Sequence, residues 1–138
     1  MKTLLVIDGQ GGGCGRSLIE KLAAQNLPLH IVAAGTNPTA AAAMLKAGAA
    51  TSLTGQAAIV ANCPKADMIA GPIGIVLAGA IKGECTAAMA TAVGSAAAPK
   101  VLIPLNRCGV VVAGLPAKPM AESIEDAAQA ITQWVGTP

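Results

Sequence analysis

A chain of 138 residues, 54% hydrophobic and 12% charged, holds enough apolar material for one buried core and too little charge to remain unfolded. Its net charge of +2 is spread without a basic run, and Trp134 is its only aromatic residue, so it has neither the field nor the stacking platforms of a nucleic-acid binder. The longest strongly apolar stretch, Met68–Ile81, is interrupted by Gly71-Pro72 and is too short to cross a bilayer, which speaks against a membrane protein.

Thr3 to Asp8, rich in branched side chains, predicts a first strand that is buried on both faces. Five glycines follow within seven positions, and a helix is expected over residues 14–25. Leu18, Ile19, Leu22 and Ala23 form its apolar stripe, with Arg16, Glu20 and Lys21 outside. Asn26 ends it and Pro28 prevents its return. Leu29 to Ala34 is the second strand, closed by Gly35-Thr36-Asn37; a second helix opens at Pro38 or Thr39, runs through Lys46 and stops at Gly48. Ala49 to Leu53 is a short third strand, and a short helix runs from Thr54 or Gly55 to about Asn62. Asp67 to Ala70 is the fourth strand, with Gly71-Pro72-Ile73-Gly74 as the turn behind it. Residues 73–82 fit helix or strand, since a short apolar run does not decide by period. Thr86 to Ala97 is an alanine-rich helix stopped by Pro99, and Val101 to Pro104 is the fifth strand. Val110 to Ala113 is a candidate sixth, paired as a hairpin through Asn106-Arg107-Cys108-Gly109. Met120 to Val135 is the last helix, with Glu122, Glu125 and Asp126 near its start, where the helix dipole favours them.

Strands alternating with helices predict an α/β fold in one domain: three layers, doubly wound, around a mainly parallel sheet of five or six strands. Right-handed crossovers give the order 3-2-1-4-5. Ligands of such sheets bind beyond the carboxyl ends of the strands, where the order reverses. That crevice falls between strands one and four, walled by the glycine loop and by Gly71, Pro72, Ile73 and Gly74.

The loop Gly9-Gln10-Gly11-Gly12-Gly13-Cys14-Gly15-Arg16-Ser17 joins a buried strand to a helix N-terminus, where free backbone N–H groups and the helix dipole converge on an anion. Gly9, Gly13 and Gly15 fit Gly-x3-Gly-x-Gly, and with the continuation Arg16-Ser17-Leu18-Ile19-Glu20-Lys21-Leu22 the first 25 residues resemble the cofactor loop of short-chain dehydrogenases. That resemblance implies NAD(P), but the family's catalytic tyrosine has no counterpart in a chain without tyrosine. Gly9 and Gly11 also fit the older dinucleotide pattern, whose third glycine would fall on Cys14. Gly12-Gly13-Cys14-Gly15-Arg16-Ser17 resembles the deviant phosphate loop of MinD-like ATPases, with Arg16 and Gly11 where that loop has lysines. Over nearly the whole chain, Ile7-Asp8-Gly9-Gln10-Gly11-Gly12-Gly13, Gly35-Thr36-Asn37, Met44-Leu45-Lys46-Ala47-Gly48-Ala49, Gly71-Pro72-Ile73-Gly74-Ile75 and Ile103-Pro104-Leu105-Asn106 together resemble a family of small bacterial proteins, a domain of unknown function. That resemblance implies a Rossmann-like fold and brings no reaction with it.

Where NAD-binding folds carry an acidic residue on the second strand's tip, this chain has Thr36 and Asn37. These either hydrogen-bond a ribose or phosphate, or Asn37 caps the helix behind Pro38. Candidates for chemistry are few. Asp8 either holds a metal–phosphate or braces the turn, and bracing is the commoner role. Glu84 is an acid/base candidate, although a carboxylate before a helix more often serves its N-terminus. His30, at the start of its strand, is assigned no role. Cys14, Cys63, Cys85 and Cys108 lie far apart without a C-x-x-C pair, which predicts free thiols in a cytoplasmic protein and no metal site.

The expected function is binding of a nucleotide or dinucleotide, NAD(P) or another, by Gly9–Ser17, Thr36 and Asn37, with Gly71–Gly74 opposite and Arg16 adding positive charge. The alternatives are a non-catalytic ligand-sensing or interaction module, and an enzyme using its cysteines as thiols or metal ligands. Two helices without a clear polar face, Thr39–Ala47 and Thr86–Ala97, also predict a homo-oligomer, most simply a dimer.

Overall fold

A computed structural model describes residues 1–105 and 109–137. Five strands, β1 (Lys2–Asp8), β2 (Leu29–Gly35), β3 (Thr51–Thr54), β4 (Met68–Pro72) and β5 (Lys100–Ile103), form one sheet in the order β3-β2-β1-β4-β5. Every pairing is parallel. This is the α/β class and strand order expected from the sequence, and it is consistent with a Rossmann-like fold.

The sheet is buried on both faces because its central strands are apolar through their middle, over Leu4–Ile7, Ile31–Ala34 and Met68–Ala70, so alternate side chains enter separate cores. Leu4, Val6, Ile31, Ala33, Met68 and Ala70 meet helices α1 (Gly13–Ala23), α2 (Pro38–Ala47) and α5 (Met120–Val135). Leu5, Ile7, Val32, Ala34 and Ile69 meet α3 (Gln56–Asn62) and α4 (Ala87–Ser95) on the other side. The two helices read as lacking a polar face begin behind good N-caps. Asn37 accepts the Ala40 N–H at 2.9 Å and Thr86 accepts the Met89 N–H at 3.2 Å.

Three expectations change. Gly71 and Pro72 are not the turn after β4 but its last two residues, paired with Leu102 and Ile103. Glycine is needed there because a Cβ would lie 2.2 Å from the Ile7 carbonyl oxygen on β1. Proline is tolerated because it closes the strand. Residues 73–82 are neither strand nor α-helix: a 3-10 turn over Ile73–Val76 leads into tight turns. The sixth strand does not form. Val110 to Ala113 makes no ladder, since Gly114, in the left-handed region at φ +82°, and the turn closed by Leu115 N–H to Val112 O break the run. Val111 is left 85% exposed. Most of the hairpin turn proposed for it, Asn106 to Cys108, lies outside the described residues.

Candidate functional site

The loop between β1 and α1 is braced from beneath by Asp8, which is 5% exposed. Its two oxygens accept the N–H groups of Gly9 and Gly15, each at 2.7 Å. Burial raises its pKa above the ordinary carboxylate value, against the lowering effect of the Gly15, Gly9 and Cys14 amides, and the nearby Glu84 charge raises it further. Both Asp8 oxygens are therefore engaged in the bracing role.

The glycines of the loop divide by what surrounds them. A Cβ on Gly15 would lie 2.5 Å from the Met44 sulfur, and one on Gly9 2.6 Å from Ile81 Cγ2. Gly12, at φ +73°, caps α1 and lies against the backbone of Ala40. Gly11 and Gly13 differ. A Cβ on either would meet nothing within 4 Å, and their N–H groups have no acceptor among the described residues.

These two glycines open onto a cavity of about 580 Å³ at the carboxyl ends of β1 and β4. Asp8 to Cys14 form its floor, Pro72 and Gly74 one wall, and Ile81, Lys82, Leu105 and Met120 the rest. This is the crevice expected from the strand order. Lys82 has no carboxylate within ion-pair distance among the described residues, which leaves a cation in the lining of the same cavity as the amide-rich loop.

Glu84 lies on the far side of the loop. It does not belong to the N-terminus of α4, whose cap is Thr86. Instead it reaches back over β2, and Oε1 accepts from the hydroxyl of Thr36 at 2.5 Å, Nδ2 of Asn37 at 2.8 Å and the Gln10 N–H at 3.0 Å. These donors, Thr36 first and then Gln10, hold its pKa below the ordinary value. Asn37 also donates to the Gln10 carbonyl at 3.0 Å while it caps α2. Thr36 and Asn37 are thus tied into a clasp and do not line the cavity.

Arg16 lies on the outer face of α1, beside Glu20 at 3.4 Å, and Arg16, Ser17, Gly71 and Ile73 do not line the cavity either. His30 lies near the start of β2, paired with Thr3, at the opposite end of the sheet. Burial, followed by the Asp8 charge, pushes the Cys14 thiol up to about 12, and burial raises Cys63 and Cys85 as well. The raised values disfavour the thiolate, which is the nucleophilic form of cysteine. Among the described residues no three His, Cys, Asp or Glu side chains come together, and Cys108 lies outside those residues.

Sequence reasoning missed Ile81, Lys82, Leu105 and Met120 as cavity residues. Lys82 was legible only as a cation next to a glycine. The left-handed conformations of Ile81 and Lys82, at φ +57° and +50°, which fold that segment onto the loop, have no local sequence signal.

No curated protein and no solved structure matches the chain. A family model does, over residues 3–136, and its description is a domain of unknown function, DUF3842. With nearly its whole length matched, the chain belongs to that family.

Proposed function

We propose that the cavity binds a nucleotide or related phosphate ester, with the phosphate on the Gly11 and Gly13 amides at the N-terminus of α1. The observation that carries this is the pair of unbonded N–H groups at two glycines whose surroundings leave room for a side chain. Glycine is helix-disfavouring, and neither packing nor positive φ accounts for it at these two positions. Close approach of an anion to the backbone does. Lys82, which also lines the cavity, adds the matching charge. A cofactor such as NAD(P) or a smaller nucleotide is compatible with that chemistry.

The engagement of Asp8 and Glu84 in hydrogen bonds, and the protonated state of Cys14, favour ligand sensing over turnover. The uncharged sequences of α3 and α4 favour assembly as a homo-oligomer through that side of the sheet.

Calorimetry of wild type and Gly13→Val against ATP, AMP, NAD and NADP tests the binding proposal. Saturable binding by wild type, lost in the variant, is expected. Equal binding by both proteins would put the phosphate elsewhere, and no binding by wild type would remove the proposal.

A further inference from the structure

The cavity lies to one side of the glycine loop only. In sheets of this order a dinucleotide spans the crevice, and the ribose of one half is held at the tip of the second strand. Here that half is filled by the chain itself. Ile81 presses on the loop so closely that a Cβ on Gly9 would lie 2.6 Å from its Cγ2, 2.7 Å from Thr36 Oγ1 and 3.1 Å from Glu84 Oε1. The polar side chains of Thr36 and Asn37, which would face a ribose, donate to Glu84 at 2.5 and 2.8 Å instead. The plug is a left-handed run, Ile81, Lys82 and Gly83 at φ +57°, +50° and +84°, followed directly by Glu84. A β-branched residue seldom adopts that conformation unless its surroundings hold it there, and the three hydrogen bonds to Glu84 do so.

We infer that the ligand is a single phosphorylated unit of mononucleotide size, and that the segment from Ile81 to Glu84 excludes dinucleotides. This rests on the phosphate-binding proposal above and narrows it. The phosphate sits at Gly11 and Gly13, and the body of the ligand lies against Leu105 and Met120. The open volume of about 580 Å³ is within the range of pockets that enclose one small molecule.

Calorimetry of the full chain with inorganic phosphate, AMP and NAD separates the outcomes. AMP should bind saturably and compete with phosphate, with NAD weaker by about tenfold or more, or undetected. NAD binding as tightly as AMP overturns the inference and leaves the phosphate site standing. No binding of any of the three overturns both. In an Ile81→Ala, Glu84→Ala variant the affinity for NAD relative to AMP should rise by about tenfold. An unchanged ratio shows that the segment is not what excludes the larger ligand. Ile81→Ala alone, which leaves the Glu84 bonds in place, gives the same comparison should the double variant fail to fold.

Discussion

At Gly71 a Cβ would lie 2.2 Å from a backbone oxygen of β1; at Gly13 it would meet nothing. The backbone cannot move away at Gly71 without breaking the pairing of two central strands. Gly71→Ala is expected to lower stability by about 3 kcal/mol. Gly13→Val should stay within about 0.5 kcal/mol of wild type, as exposed substitutions do. Urea unfolding of both variants checks the contrast, and a destabilised Gly13→Val would show that this glycine serves the fold. Glu84 makes a second prediction at this scale. Its depressed pKa means that its stabilisation is complete above the ordinary value of 4.5 and is lost as pH falls through the folded value. The stability difference between wild type and Glu84→Gln should therefore be widest near neutral pH and close below pH 4.5. Asp8, raised by burial, acts in the opposite sense, contributing stability that is complete below 3.8 and lost as pH rises through its folded pKa. Removing the Glu84 charge also relieves Asp8, which narrows the measured difference without reversing it. A difference that widens in acid would contradict the clasp.

Among the elements, those with a local pattern were legible and those held by distant partners were not. The run Leu4–Ile7, the glycines behind it and the stripe Leu18, Ile19, Leu22 gave β1, the loop and α1 within two residues. The end of β4 was misjudged because Gly71-Pro72 reads locally as a turn, while the neighbour that requires glycine, Ile7, comes much earlier in the chain. The clasp was missed for the same reason. Thr36, Asn37 and Glu84 were each singled out, but periodicity does not say that residues so far apart share a carboxylate. Val110 to Ala113 failed the other way, a strand-like run that finds no ladder partner among the described residues. The end of α5 shows another long-range tie. Lys2 Nζ donates to the carbonyls of Trp134 at 2.6 Å and Thr137 at 2.7 Å, and lies 4.7 Å from the centre of the indole ring. It adds a charged donor at the C-terminal end of α5, where a cation is favoured. Lys2→Ala should lower stability by about 1 kcal/mol. Trp134 is the only aromatic residue, so its fluorescence reads α5 docking without interference, and an unchanged midpoint and spectrum would mean that the tie contributes nothing.

At the scale of the whole molecule, the helices on the two faces of the sheet differ in charge. The α1 and α5 side carries Arg16, Glu20, Lys21, Glu122, Glu125 and Asp126, including an ion pair between the two helices, Lys21 to Glu125, at 2.8 Å. On the opposite side α3 and α4 hold no charged residue, and Ala57, Val60, Ala61, Ala87, Ala88 and Thr91 are exposed. A small, uncharged surface of this kind allows close approach of a second copy. The proposed homo-oligomer should use it, so Ala88→Glu or Val60→Lys should lower the mass measured by light scattering while leaving the circular dichroism unchanged. A wild-type mass of one chain at every concentration tested would remove the proposal.

The central position of β1 has a consequence for the order of events during synthesis. β1 is made before both of its neighbours, gains one when residues 29–35 emerge, and gains the other only with Met68 to Ala70. Until then Leu4, Leu5 and Val6 present an open, wholly apolar strand edge, the kind that recruits other chains. The face formed by Leu5, Ile7, Val32 and Ala34 also waits for α4, later still in the chain. Parallel pairing over such distances is slow. A nascent chain stalled before Met68 therefore exposes both a sticky edge and half a core.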